Sequence, residues 1–295
     1  MTRILVPPGI GDIYWVLVKL KSFIEKNGLT DPELTIVSHP DSLGGHLRSI
    51  PFLEMFPWIK LGSPVSVPNA HGLQEIWDEA YLGPGRSIFP GVMGYDYLIA
   101  YNGRVNSGGW IEDDEYACDW EILPPMNKYR NGSDMLVCFF PFYGTYESHE
   151  RDFPVAKIAE SINQFAQLYD LRPVFIGAAW DQGLNSKLRE LMNLIPNYTD
   201  MVGRTNLQQT LDLIQQSRMV VGYHAGITQI AAVMRKPTLL LWDDRYPLNT
   251  CYSVVPPYAR GTNYTALMTK YLTTELFVRE MVETWEYGRV KYGHR

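Results

Sequence analysis

The chain has little cysteine. Its three thiols, at Cys118, Cys138 and Cys251, are scattered over 295 residues and form no CxxC pair. An odd, dispersed set of cysteines argues against a disulfide framework and against a structural zinc site. The same pattern fits a reducing compartment, so we expect a cytoplasmic protein whose cores are held together without cross-links.

Long apolar runs and an excess of positive charge are also missing. No window of the sequence approaches the ~18 consecutive apolar residues that a membrane-spanning helix requires, and the first residues enter a strand without an apolar signal region. The net charge of −6 offers no general attraction to nucleic acid or to an anionic membrane. We therefore expect no transmembrane segment. The composition does not tell whether the protein is a monomer or an oligomer.

The remaining composition is that of an ordinary globular protein with two domains. Hydrophobic residues make up 46% of the chain and charged residues 20%, which suffices for two cores when a domain commonly holds ~100–200 residues. Residues 124–133, rich in proline, asparagine and glycine, form the best linker candidate. We predict an N-terminal domain over residues 1–130, a C-terminal domain over residues 131–272, and a final helix over residues 273–295 that returns to the first domain.

Strand and helix patterns alternate in both halves. A short β-type run at residues 3–6 precedes a turn rich in proline and glycine, a helical pattern at residues 13–27 and a second strand at residues 34–38. Such a βαβ opening starts a Rossmann-like domain. The turn has only Gly9 and Gly11 of a dinucleotide fingerprint, which supports a dinucleotide site weakly. The alternation restarts after the linker, so we predict two Rossmann-like α/β domains.

The most informative stretch is residues 219–242, which read as strand, turn, helix and strand. An apolar run ends at Gly222, a helical pattern follows it, and Lys236 and Pro237 stop that helix before the next apolar run. The turn brings backbone N–H groups and the positive end of a helix to the carboxyl edge of a parallel sheet, where phosphates bind. We predict phosphate contacts at His224, Ala225 and Gly226.

This part of the sequence resembles glycosyltransferase family 9, the lipopolysaccharide heptosyltransferases. Residues 201–207, residues 217–226 and residues 231–237 are similar to a family segment that reads roughly "aGkTsL…a.lvvgnDSGpmHlAaalgkP". The resemblance implies the GT-B architecture, in which two Rossmann-like domains face each other across an interdomain cleft. It also implies a glycosyltransferase that uses a nucleotide diphosphate sugar as its donor substrate and needs no other cofactor.

The resemblance extends to two further motifs. Gly11 and Asp12 are similar to the family's Gly-Asp after strand 1, whose aspartate is the proposed catalytic base. Residues 151–154 resemble its Lys-x-Trp-Pro, which implies that Arg151 contacts the donor phosphates. Taken alone, Asp12 also fits the N-cap of a helix, and Arg151 also fits a solvated surface position. Both interpretations stay open.

Two positions depart from the family pattern. His224 and Ala225 stand where the family has aspartate and serine or threonine, and Gln229 replaces a later histidine. Backbone donors at Gly226 survive this change, whereas recognition of a heptose does not transfer, so the sugar is hexosyl or heptosyl. The imidazole of His224 can donate to a phosphate or sugar oxygen, or it can serve the fold alone.

Three other residues are expected at the same edge. Tyr143 and Thr145 follow the strand that starts the second domain, and Asp243 follows the strand at residues 238–242. Each is a candidate donor contact, although Asp243 and Asp244 also suit a solvated loop. The pair lacks the spacing of a metal-binding DxD motif, so we predict no metal; helix termini and cationic side chains replace Mg²⁺.

The leading functional interpretation is an inverting, metal-independent glycosyltransferase acting on a hydroxyl acceptor. The acceptor is a glycan or a hydroxymethylated DNA base of a bacteriophage, and the net charge of −6 disfavours DNA. One alternative is a non-catalytic nucleotide-sugar-binding module, because the aspartate and hydroxyl of the family turn are absent. Another is a sugar-nucleotide epimerase on the same fold, although no clear carboxylate pair supports it.

Overall fold

The protein consists of two compact α/β units. A computed structural model describes residues 1–38, 45–66, 94–99, 115–123, 134–141, 153–179, 186–242, 255–260 and 263–292. The chain divides into Met1–Pro124 and Pro125–Arg295. Each unit contains a parallel sheet, which confirms the predicted α/β class. The finer domain limits predicted from the sequence stay predictions.

In its described residues, the first unit has five short strands and two helices. They are β1 (Thr2–Val6), α1 (Ile10–Lys26), β2 (Pro32–Ser38), α2 (Gly45–Glu54), β3 (Lys60–Leu61), β4 (Val65–Ser66) and β5 (Tyr97–Leu98). The sheet order is β3-β2-β1-β5, with β4 also paired to β2. Because β1 lies between β2 and β5, the helix that follows β1 starts at the point where the strand order reverses.

Helix α1 begins earlier than its apolar periodicity predicts. The pattern indicates a start at Ile13, whereas the helix runs from Ile10 and has Gly9 as its N-cap. The prolines and glycines at residues 7–11 indicate a turn, and this signal masks the apolar Ile10 at the start of the helix. The helix ends at Lys26, and Gly28 follows in the left-handed region with φ of +59°, as is common after a helix. The earlier start places Asp12 inside the first turn.

Six parallel strands form the sheet of the second unit, as far as its residues are described. Its elements are β6 (Met135–Phe139), α3 (Val155–Tyr169), β7 (Arg172–Phe175), α4 (Ser186–Asn193), β8 (Thr199–Asp200), α5 (Leu207–Gln216), β9 (Met219–Tyr223), α6 (Gly226–Val233), β10 (Thr238–Trp242), β11 (Tyr264–Met268), a 3₁₀ turn (Thr269–Tyr271) and α7 (Thr274–Tyr292). The strand order is β11-β10-β9-β6-β7-β8. The order reverses between β6 and β9, and in open α/β sheets ligands bind beyond the carboxyl ends of the strands at such a point.

Strand β11 was not predicted. Its five residues pair with the whole of β10, from Thr238 opposite Tyr264 to Trp242 opposite Met268. Residues 264–268 include only two buried side chains, since this strand forms an edge of the sheet. A half-buried edge strand lacks the continuous apolar run that marks a central parallel strand.

Helix α7 packs on the second unit through one face. Phe277, Met281 and Trp285, spaced at four residues, are buried in its core, and the ring of Phe277 meets that of Phe153 edge to face at 5.6 Å. The predicted return of this helix to the first domain stays a prediction. No helix within the described ranges combines the length and the apolar character that crossing a bilayer requires.

Candidate functional site

Gly222 brings β9 against β6. It pairs with Phe139 in the parallel register, and a Cβ at this position would collide with the carbonyl oxygen of Phe139. Glycine at position 222 is therefore required for this strand pairing. The close approach sets the end of β9 at Tyr223, so that His224 is the first residue beyond the sheet.

The turn after β9 leads directly into α6. Ala225 is the N-cap, with extended backbone at φ −160° and ψ 166°. Its N–H donates to Thr228 Oγ1 at 3.0 Å, one half of a capping box. Alanine has no oxygen to complete the other half, so no N-cap side chain occupies the N-terminus of α6. Gly226 is the first helical residue, and such an uncapped terminus at a carboxyl edge suits an anion.

Three contacts, one from the backbone and two from the ring, fix the position of His224. Its backbone N–H donates to the carbonyl of Leu241 on β10 at 3.2 Å. Its ring Nε2 lies 2.8 Å from the side-chain Nε2 of Gln229 on α6. The ring meets that of Trp242, the last residue of β10, edge to face at 4.3 Å between centroids. The histidine is half-buried, so its ring has a defined position at this edge.

The sequence interpretation missed Gln229 as a partner of His224. Relative to α6, His224 is the residue before the N-cap and Gln229 is the fourth helical residue. Side chains at these two positions commonly meet, usually as a hydrophobic staple. The spacing was therefore a usable signal, and here it joins two polar groups.

Asp12 lies at the third position of α1, in the first unit. Its Oδ2 packs against Gly9, where a Cβ would stand only 2.5 Å from it. Gly9 is the N-cap and no side-chain capping bond is formed. The alternative interpretation of Asp12 as the N-cap residue is therefore wrong. Gly11, predicted as a donor contact, is a buried residue of the same first turn.

The carboxyl of Asp12 is poorly solvated. Within the described part of the chain, no hydrogen bond or ion pair to this carboxyl is present. Loss of water raises the pKa of Asp12 from 3.8 to about 7, because burial disfavours the charged form. The residue is only half-buried, so it combines a raised pKa with access to a reactant, as a general base requires.

Ser49 fixes the loop that carries Asp12. Its hydroxyl, on α2, donates to the carbonyl of Pro8 at 2.6 Å, and the serine is fully buried. The N–H of Ile13 then donates to the carbonyl of Gly9 at 2.9 Å, which starts the helix. No motif in the sequence indicates this contact between α2 and the β1–α1 loop.

The remaining predicted site residues lie outside the described residues. They are Tyr143, Thr145, Arg151 and Asp243, and their predicted roles stay predictions. The first described residues after Arg151 in the sequence are Phe153, which is buried, and Pro154, the N-cap of α3. Among the residues that the structure describes, no three histidine, cysteine or carboxylate side chains form a group that could hold a metal ion.

Comparison with known proteins identifies the second half of the chain. Residues 143–279 match the model of glycosyltransferase family 9 (heptosyltransferase). The resemblance to this family is confirmed. The match includes the turn at His224 and does not include Asp12, which lies in the other unit. No curated protein matches the sequence at a significant level.

Solved structures share the fold over almost the whole chain. The glycosyl transferase family 9 protein of Veillonella parvula has a TM-score of 0.60 at 12% identity, covering 97% of each chain. The ADP-heptose lps heptosyltransferase II of E. coli has a TM-score of 0.58 at 14% identity, covering 97% of this chain and 99% of that one. A putative UDP-N-acetylglucosamine 2-epimerase of Listeria monocytogenes has a TM-score of 0.52 at 13% identity, covering 97% and 88%.

These likenesses confirm the GT-B fold class. They do not separate transferase from epimerase, because proteins of both names share the fold and a fold does not fix a function. The family match, which covers residues 143–279, is to a glycosyltransferase family. Together the comparisons support a nucleotide-sugar glycosyltransferase.

Proposed function

We propose that this protein is an inverting, metal-independent glycosyltransferase that moves a hexosyl or heptosyl group from a nucleotide diphosphate sugar to an acceptor hydroxyl. The observation that carries the proposal is the carboxyl of Asp12, which is accessible, unpaired within the described residues and raised in pKa to about 7. This evidence is independent of the family match, which covers residues 143–279.

In the proposed reaction, Asp12 takes the proton of the acceptor hydroxyl. The acceptor oxygen then forms a bond to the anomeric carbon of the sugar from the face opposite the leaving group. The bond between that carbon and the diphosphate oxygen breaks, its electron pair leaves with the nucleotide diphosphate, and the configuration inverts. A pKa of about 7 suits this step, because general bases are most effective when their pKa lies near the working pH.

The leaving diphosphate needs compensation of its negative charge. The N-terminus of α6, with the backbone N–H groups of Ala225 and Gly226, offers oriented dipoles for it. The ring of His224 adds a hydrogen-bond donor, and Arg151 adds a cation able to bind two oxygens at once. Tyr143, Thr145 and Asp243 supply further donor contacts. Backbone dipoles and a guanidinium together take the role that Mg²⁺ has in other transferases.

The acceptor that fits the chain best is a glycan. A protein that binds DNA gains most of its affinity from neutralising phosphates, and a net charge of −6 works against this. A hydroxymethylated DNA base is the second acceptor class.

Nucleotide-sugar screening tests the proposal. A donor at ~100 times its Kd should stabilise the protein by ~2.7 kcal/mol, in the presence of EDTA as well as in its absence. Each stabilising donor is then incubated with glycan and modified-DNA acceptors, and product is measured. Binding without turnover would favour a non-catalytic module, and conversion of the sugar without an acceptor would favour an epimerase. Binding that vanishes in EDTA and returns with Mg²⁺ would overturn the metal-independent mechanism.

A further inference from the structure

The contact between His224 and Gln229 restricts the protonation state of the histidine. The amide Nε2 of Gln229 lies 2.8 Å from Nε2 of the ring. With the amide oriented in this way its nitrogen donates, the ring Nε2 accepts through its lone pair, and the single ring hydrogen is carried by Nδ1. An imidazolium would bring two donors face to face. The contact therefore favours a neutral ring with hydrogen on Nδ1.

The partner amide is rigidly placed. Gln229 is only 5% exposed, and its backbone N–H donates to the carbonyl of the N-cap Ala225 at 3.1 Å. Gln229 therefore lies in the first turn of α6, and its side-chain amide is buried there. On the other side, the buried ring of Trp242 limits rotation of the imidazole through the edge-to-face contact. The histidine is thus fixed in orientation by one residue and in tautomer by another.

We propose that Gln229 is a positioning residue that holds His224 in its neutral Nδ1–H tautomer, so that the ring donates this hydrogen to a diphosphate oxygen of the nucleotide sugar. The ligand part of this inference rests on the proposed function. A neutral donor on a fixed ring suits a turn where Ala225 supplies no side-chain group, since it adds a directed hydrogen bond to the backbone dipoles of α6.

Nuclear magnetic resonance tests the tautomer without any ligand. The protein is labelled with ¹⁵N-histidine, long-range ¹H–¹⁵N correlation spectra report which ring nitrogen of each of the six histidines is protonated, and His224→Gln assigns the signal. We expect Nδ1 protonated and Nε2 unprotonated in the wild type. In Gln229→Glu, a carboxylate that only accepts should move the hydrogen to Nε2 or create the imidazolium.

A matched control and a second variant keep this result interpretable. Gln209→Glu adds the same charge at an exposed position of α5, where an acceptor oxygen still serves the N–H of Asn206; it should leave the His224 signal unchanged. If Gln229→Glu does not fold, Gln229→Met removes the amide at similar size and should give mixed tautomers. An Nε2–H ring in the wild type, or a tautomer unchanged in both Gln229 variants, overturns the positioning role.

Calorimetric titration with ADP and UDP tests the ligand part. Mixed tautomers leave only part of the rings with hydrogen on Nδ1, so binding of the preferred nucleotide to the uncharged Gln229→Met should weaken by about two- to fivefold, with Gln209→Glu at the wild-type value. A changed tautomer with unchanged affinity overturns the contact between His224 and the diphosphate. If neither nucleotide binds the wild type, the donor site of the proposed function fails, while the spectra still decide the tautomer.

Discussion

The carboxyl of Asp12 occupies the space that a side chain at Gly9 would need. Oδ2 of Asp12 lies 2.5 Å from the position of a Cβ on Gly9, and the backbone of Gly9 at φ −83° is open to any residue. The glycine is therefore required for the place of the carboxylate and not for its own conformation. A substitution at Gly9 can therefore displace the carboxyl of the proposed base while it leaves the stability of the helix almost unchanged.

Gly9→Ala should reduce turnover with little loss of stability. The methyl group must displace the Asp12 carboxyl, and a displacement near 1 Å can lower a rate by ~100-fold, whereas alanine instead of glycine at an N-cap changes stability by only ~1 kcal/mol or less. Initial rates and a denaturation curve on one preparation measure both effects. Gly28→Ala is the control: its φ is +59° with nothing near the new Cβ, so it should lower stability by ~1 kcal/mol and leave turnover unchanged.

Asp12→Asn tests the base directly. The amide retains the shape of the side chain but does not take a proton, so we expect a folded protein with near-normal donor affinity and turnover at least ~100-fold lower. In the wild type, kcat/KM should rise with pH towards a plateau above pH 7, because the base must be ionised and its pKa is about 7. This limb should be absent in the variant. Wild-type turnover in a folded Asn variant would remove Asp12 as the base.

The fold class and the turns at the carboxyl ends of the strands were predictable from the sequence, because strand-helix alternation and glycine-containing turns are local patterns. The position of the turn at His224, between β9 and α6, was predicted in this way. The start of α1 was not, since the prolines and glycines at residues 7–11 indicate a turn there. Strand β11 was missed because an edge strand with only two buried side chains lacks the continuous apolar run of a central strand.

Contacts between residues that are distant in the sequence could not be predicted from the sequence. The hydrogen bond from Ser49 to Pro8 spans 41 positions, and no sequence pattern around either residue indicates the other as its partner. The raised pKa of Asp12 was equally invisible, because it depends on the loss of water in the folded unit. In contrast, the pair formed by His224 and Gln229 follows from positions around one N-cap, and the sequence alone could have indicated it.

Arg151→Ala should weaken binding of the donor. A charge-assisted hydrogen bond to the diphosphate contributes ~1.5–3 kcal/mol, so calorimetry should show a loss of about ten- to hundredfold in affinity, and EDTA should change neither protein. Arg279→Ala is a matched control, because this exposed arginine on α7 pairs with Glu280 at 3.0 Å. Equal affinity in the two variants would show that Arg151 does not contact the donor and would favour the alternative of a solvated surface residue.

Ser49→Ala should impair both the stability and the reaction. It leaves the buried carbonyl of Pro8 without the donor seen at 2.6 Å, which should lower the free energy of unfolding by ~1–3 kcal/mol. The same loop leads to Asp12, so turnover should fall as well. Ser217→Ala provides the comparison, since this buried hydroxyl donates to the carbonyl of Ile214 at 2.8 Å in the second unit. A similar loss of stability without loss of turnover is expected there.

The raised pKa of Asp12 also predicts how stability depends on pH. Between pH 4 and pH 7 the folded protein holds a proton on Asp12 that the unfolded chain has released, since the pKa is about 7 in one state and 3.8 in the other. The contribution of this residue to stability is therefore fully present below pH 4 and is lost as the pH rises through about 7. Asparagine stays neutral throughout.

Asp12→Asn should consequently equal the wild type in stability near pH 4 and exceed it at pH 8. The difference should be on the order of 2–4 kcal/mol, because each pKa unit corresponds to ~1.36 kcal/mol and the partly exposed carboxyl retains some solvation. Urea denaturation of both proteins across this pH range measures it. A variant less stable than the wild type at pH 8 would show that the ionised carboxylate stabilises the fold, which contradicts a desolvated base.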